Sequence, residues 1–195
     1  MSCSKPRFQH IAFKEFQQVK ILAFLGNPGS KYSRTRHNIG FMAGEKFAEL
    51  NGIKINKKNF LSETGTGKIE EVDVLLLFPQ TYMNESGKAV KKAMDFYGEK
   101  HSSLIVFHDE LELKFGDVKT KFAGGHKGHN GIRSIITETG SADFHRIRFG
   151  IGRPENEAMS VSDHVLSKFS PEEMAEIEKM MPEVMKILHT FLNED

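Results

Sequence analysis

Three stretches of the chain, VKILAFLG from Val19, VDVLLLFP from Val72 and SLIVFHDE from Ser103, carry apolar residues in continuous runs rather than at alternate positions. A strand with one solvated face alternates, so runs of this kind fit strands covered on both faces, as in a parallel sheet packed between helices. Helical stretches separate them. After the first run, NPGSKYSRT is rich in turn residues; Ile39, Met42, Ala43, Phe47 and Leu50 then recur at helical spacing until Asn51 and Gly52 supply a stop. Thr35 is the expected N-cap, which places His37 in the first turn of that helix. TYMNESG leads into a second helix, KAVKKAMDFYG, ended by Gly98, and IRSIITETG reads as a short third one. Strands alternating with helices predict an α/β domain with a largely parallel sheet.

Two later segments carry their own signals. FHRIRFGIG alternates with period two from His145 and reads as a strand with one solvated face. In FSPEEMAEIEKMM, Ser170 as N-cap, Pro171 at the first helical position and Glu173 three residues after the cap form a capping-box start. Pro182 lacks the N–H that would bond one turn back, so a kink or break is expected near Met181. Residues 1–18 show neither a clear period nor a core strand and read as an extension, leaving 19–195 as one domain. A chain of 195 residues suits that organisation.

Charge divides along the chain although the formal net charge is only +1. Between Lys114 and Arg153 stand eight Lys and Arg against three acids, and from Pro154 onward three lysines against ten acids. A basic segment of this kind is a local footprint that meets phosphate, or simply a solvated surface. The longest apolar run, VLLLF, is too short to span a bilayer, and a single cysteine, Cys3, forms neither an internal disulfide nor a structural zinc site. A cytoplasmic protein without membrane contact is expected.

In open α/β sheets, functional groups gather beyond the carboxyl ends of the strands. Four polar clusters fall there: GNPG with TRHN, TYMN, HDE, and GGHKGHNG. Each has a plain reading alone, as a turn, a helix cap, an ion pair or a flexible loop. Their coincidence brings His37, Asp109, Asn27, Asn84 and Asn130 to one end of one sheet. An imidazole titrates near neutrality and takes a proton from water, while a buried carboxylate on its other nitrogen fixes the tautomer and stabilises the imidazolium. Asparagine amides do not titrate, but they hold a peptide-like substrate and polarise a carbonyl. The set suits hydrolysis of an acyl bond by activated water. There is no GxSxG for a serine nucleophile, and no phosphate loop follows the first strand. His108, Asp109, Glu110, His126 and His129 form a conceivable metal-ligand set, at a spacing that matches no zinc pattern.

Taken together, FLGNPGSKYSRTRHNIGF, PQTYMNESGKAV, FHDELEL, AGGHKGHNGIRSI and FHRIRFGIGRP resemble the bacterial-type peptidyl-tRNA hydrolases, in the family's order and spacing over roughly residues 20–190. The resemblance implies a single α/β domain, a twisted mixed sheet between helices, a monomer, and no metal or organic cofactor. It also implies the reaction, cleavage of the ester between a peptide and the terminal ribose of tRNA, with peptidyl-tRNA as the partner. By the same resemblance His37 is the base, Asp109 its orienting partner, and Asn27 helps order the water or the histidine. Asn84 and Asn130 bind substrate alongside Asn27; Tyr32, Met83 and His129 line the cleft; Lys121 and Arg148 grip the 5′ phosphate of the tRNA. The chain departs from the family in a longer stretch before Val19 and in Lys127, which interrupts a loop of small residues. Two other classes stay open at this point: an RNA-binding protein without hydrolysis, and a general esterase acting on small molecules.

Overall fold

The apolar runs become the middle of a seven-stranded sheet in the computed structural model, which describes residues 18–156 and 158–192. The extension expected over residues 1–18 lies outside the described residues except for Gln18. The strands are β1 (Val19–Phe24), β2 (Lys57–Asn59), β3 (Ser62–Ile69), β4 (Val72–Pro79), β5 (Leu104–Glu110), β6 (Val118–Phe122) and β7 (His145–Gly150), in the spatial order β2-β3-β4-β1-β5-β7-β6. The four central strands β4, β1, β5 and β7 run parallel, with Leu22 facing Leu76 and Ile105 on its two neighbours. The edges are antiparallel, β2 and β3 on one side and β6 on the other. The helices are α1 (Ile39–Leu50), α2 (Ser86–Tyr97), α3 (Asn130–Thr139), α4 (Val161–Leu166) and α5 (Pro171–Leu192).

The continuous runs are explained by two cores. Leu22, Phe24, Leu76, Phe78, Ile105 and Phe107 point to the face covered by α1 and α5. Their neighbours Ile21, Ala23, Leu75, Leu77, Leu104 and Val106 point to the face covered by α2 and α3. From the adjacent strands β1 and β5 the chain goes to opposite faces, to α1 directly and to α3 by way of β6, and the segments leaving them flank a crevice. Gly87 lets α2 approach α3 closely: a Cβ there would stand 2.1 Å from the Ser134 carbonyl oxygen, and the Gly87 N–H donates to Ser134 Oγ at 2.9 Å.

Four expectations are corrected. Thr35 precedes a short 3-10 turn at 36–38 rather than the helix itself, and its hydroxyl donates to the Tyr32 carbonyl at 2.8 Å, so His37 sits in that turn. Leu50 closes α1 but is 59% exposed, off the buried stripe. β7 alternates as read, yet its polar face is covered: Arg146 donates to the carbonyls of Gly124 and Gly125, and Arg148 pairs with Glu110. The break expected near Met181 does not occur: α5 continues through Pro182, with Ile177, Met181, Val184, Met185 and Leu188 held in the core. The Ser170–Glu173 capping box forms, with Glu173 N to Ser170 Oγ at 3.1 Å and Ser170 N to Glu173 Oε2 at 2.7 Å. Among the described residues no helix is long and apolar enough to cross a membrane.

Candidate active site

His37, from the turn after β1, meets Asp109, from the end of β5, at the crevice. Asp109 is 2% exposed, and its Oδ1 lies 2.7 Å from His37 Nδ1. The same oxygen lies 3.0 Å from His129 Nε2. Which protons these rings carry follows from the backbone. His129 is the N-cap of α3, where its Nδ1 accepts from the N–H groups of Gly131 and Ile132 at 3.1 and 3.2 Å. Nδ1 therefore holds a lone pair and Nε2 the proton that is donated to Asp109. Burial alone pushes the Asp109 carboxyl up, but His37 and His129, by charge and by hydrogen bonds, outweigh it and hold the carboxyl well below its ordinary 3.8. The carboxylate stays ionised. It fixes His37 with its proton on Nδ1, and Nε2 makes no hydrogen bond among the described residues while the ring lines the cleft.

Asn27 is set just as firmly. Its backbone N–H donates to Asn38 Oδ1 and its carbonyl accepts from Asn38 Nδ2, both at 2.9 Å, so the buried Asn38 clamps the turn. The Asn27 side-chain oxygen accepts from the Met83 N–H at 2.8 Å. What remains for a ligand is the Nδ2 amide, a donor. Asn84, in the turn before α2, and Asn130, at the start of α3, are exposed, and their amides make no hydrogen bond to described residues. All eight residues assigned to catalysis or substrate binding line one cleft of about 770 Å³: Asn27, Tyr32, His37 and Met83 together with Asn84, Asp109, His129 and Asn130. Tyr82 stands edge-on to Tyr32 at 6.3 Å, and the apolar Leu111, Val161, Val165 and Leu166 add a further wall. Leu111 follows β5, and the other three come from α4, whose signal was the Ser160–Asp163 start; Ser160 Oγ accepts from Asp163 N at 3.0 Å.

The five-residue metal set is not assembled. His108 Nδ1 donates to the Asp109 carbonyl at 2.6 Å, His126 Nδ1 accepts from Gly128 N at 3.0 Å, and Glu110 pairs with Arg148 at 3.5 Å. His37, Asp109 and His129 do offer donor atoms within 4.8 Å of one another. Their contacts of 2.7 and 3.0 Å are proton-bearing bonds, however, whereas two ligands on one tetrahedral zinc stand about 3.3 Å apart. Lys121 and Arg148 fall outside the cleft lining. The β6–β7 register, Lys121 opposite Arg146 and Lys119 opposite Arg148, puts four cations on one face. Arg146 is buried and spent on the loop carbonyls, Arg148 is largely covered, Lys121 is half-buried and Lys119 is exposed. Gly124 beside them holds φ +101, a backbone conformation that residues with a side chain rarely adopt.

The profile of the family described as Peptidyl-tRNA hydrolase matches residues 21–195. The chain is 46% identical over 176 residues to the peptidyl-tRNA hydrolase of Geotalea daltonii, covering 90% of this chain and 91% of that one. It is 43% identical over 174 residues to that of Geobacter sulfurreducens, covering 89% of each. The crystal structure of peptidyl-tRNA hydrolase from Acinetobacter baumannii superposes with a TM-score of 0.83 at 38% identity, over 90% of this chain and 89% of that one. The chain belongs to the peptidyl-tRNA hydrolase family.

Proposed function

We propose that this chain hydrolyses the ester between a peptide, or an N-blocked aminoacyl group, and the terminal ribose of tRNA, returning the tRNA to translation, with His37 as the base. The observation that carries the assignment is the 2.7 Å bond from His37 Nδ1 to Asp109, which leaves Nε2 as the open ring nitrogen in the cleft. Nε2 takes a proton from water; the hydroxide oxygen adds to the ester carbonyl; the tetrahedral intermediate collapses and the ribose oxygen leaves with the proton from Nε2. Asp109 stabilises the imidazolium between those two steps. Asn27 Nδ2 and the free amides of Asn84 and Asn130 are the donors available to the carbonyl oxygen and the peptide backbone. Tyr32 and Met83 shape the cleft, and His129 acts through Asp109 rather than as a base, since both of its nitrogens are already bonded. Lys121, with Lys119 and Arg148 on the same face, meets the tRNA phosphate.

The test is release of tRNA from N-blocked aminoacyl-tRNA by the wild type and by His37→Ala, with chelator in both and unblocked aminoacyl-tRNA as control. Removing the base is expected to slow cleavage on the order of 10²- to 10⁴-fold. Near-native turnover by the variant, or tRNA binding without cleavage by the wild type, would overturn the assignment.

A further inference from the structure

Away from the cleft, three aromatic rings gather on the surface where α2 ends beside the β2–β3 hairpin. The Phe60 centroid lies 5.2 Å from Phe96 and 6.1 Å from Tyr97, and Phe96 lies 5.0 Å from Tyr97. With Leu75, Lys57, Thr64 and Thr66 they border a cavity of about 330 Å³. Phe96 is 69% exposed. A lone exposed phenylalanine needs no explanation, but a clustered aromatic surface around a cavity marks a place where something docks.

The chain itself supplies the occupant. Gln18 Nε2 donates to Ser103 Oγ at 2.8 Å, and the Val19 N–H donates to Glu99 Oε1 at 2.7 Å. Glu99 is two residues beyond Tyr97, so the polypeptide preceding Gln18 departs beside the aromatic cluster. Val19, Phe60 and Tyr97 already pack against the same core. Residues 1–17 hold Phe8, Ile11, Phe13 and Phe16, three of the chain's 16 phenylalanines. Seventeen residues reach about 55 Å when extended. The shared family profile begins at residue 21, so this segment lies outside the part matched to it.

We propose that residues 1–17 dock on the Phe60–Phe96–Tyr97 surface, with Phe13 or Phe16 entering the cavity. The contact reaches the active site through the hairpin. Phe60 and Leu61 hold its turn at φ +54 and +55, a region costly for side-chain-bearing residues, and the Leu61 carbonyl accepts from the Gln80 N–H at 2.8 Å, three residues before Met83. Covering Phe60 steadies that turn.

Hydrogen–deuterium exchange on the full-length protein tests the proposal, comparing wild type, the paired variant Phe13→Ser with Phe16→Ser, and Phe96→Ser. Docking predicts that amides around 57–61 and 93–98 exchange on the order of tenfold faster in both variants, and that combining all three substitutions adds nothing further. Phe96 is exposed, and unchanged exchange in β1 and β5 verifies the fold in every variant. Equal exchange in all the proteins overturns the proposal. So does protection that depends on protein concentration, which assigns the surface to a second copy, or protection that appears only with tRNA added, which assigns it to nucleic acid.

Discussion

Asp109→Asn isolates the charge at the centre of the site, because the amide is nearly the same size and keeps an oxygen. Two N–H donors converge on Asp109 Oδ1, so the asparagine must place its carbonyl oxygen there; the opposite rotamer would set an NH₂ against both donors. Geometry and tautomers are kept while the negative charge is lost. The imidazolium formed on His37 then has no counter-ion at 2.7 Å, where a unit charge pair is worth about 6 kcal/mol at an effective dielectric near 20. Part of that returns as a neutral hydrogen bond. With each 1.36 kcal/mol worth a factor of ten, the chemical step should slow by about 10³, within a range of roughly 10² to 10⁴. KM should stay within about threefold, because Asp109 is buried behind His37 and acts in the transition state only. Single-turnover cleavage of N-blocked aminoacyl-tRNA under excess enzyme measures the step directly. A rate within about threefold of wild type, in a protein with native exchange behaviour, would mean that the carboxylate merely fills space and that the base has been misassigned.

Asn38→Ala leaves the Asn27 N–H and carbonyl unpaired, so melting should show a loss of about 1–3 kcal/mol, and kcat should fall because the Asn27 amide is no longer aimed; unchanged kcat would reduce Asn38 to a packing role. Burial, with Arg146 adding to it, holds the His108 ring well below its ordinary 6.5, against the opposing Asp109 charge and carbonyl bond. The unfolded chain therefore binds a proton below pH 6.5 that the native one refuses, so stability falls as pH drops, by about 1.4 kcal/mol per unit from this group. Denaturant midpoints at about pH 7.5 and 5.5 should differ less in His108→Gln than in wild type; equal differences would refute the linkage. Lys121→Ala should weaken tRNA binding and make the slope of log affinity against log salt shallower by about one contact, and an unchanged slope would remove Lys121 from the phosphate site.

The parts of the fold that could be read in the sequence are those whose signal is local. Continuous runs announce strands covered on both faces, and Ser170 with Glu173 announces a helix start, because the residues that carry the pattern also make the contacts. β3 was invisible because SETGTGKI offers no aliphatic stripe; Gly65 and Gly67 leave room for Ile53, and that packing partner lies well outside the strand. β7 was misread for a related reason. Arg146 and Arg148 look like a solvated face until a loop some twenty residues away supplies carbonyls to one and β5 supplies Glu110 to the other. Pro182 does not break α5, because tertiary packing of the apolar stripe carries the helix through it.

The site shows the same division. A histidine in the turn that follows β1 and an acid at the end of the neighbouring β5 were legible as partners, since the segments beyond parallel strand ends are where functional side chains gather. The choice among histidines was not. Among the described residues three histidines crowd around Asp109, with His129 between His37 and His108 at ring separations of 5.0 and 4.7 Å. Side-chain chemistry makes them equivalent, and only backbone hydrogen bonds separate them. His108 Nδ1 is engaged by a carbonyl and its Nε2 is buried away from the cleft without a partner. His129 is spent at both nitrogens, by the first turn of α3 and by the carboxylate. His37 alone combines a fixed Nδ1 with an unengaged Nε2 on the cleft wall. A resemblance to other sequences points to His37 as the base; the pattern of occupied nitrogens is the physical reason that neither of its neighbours can take its place.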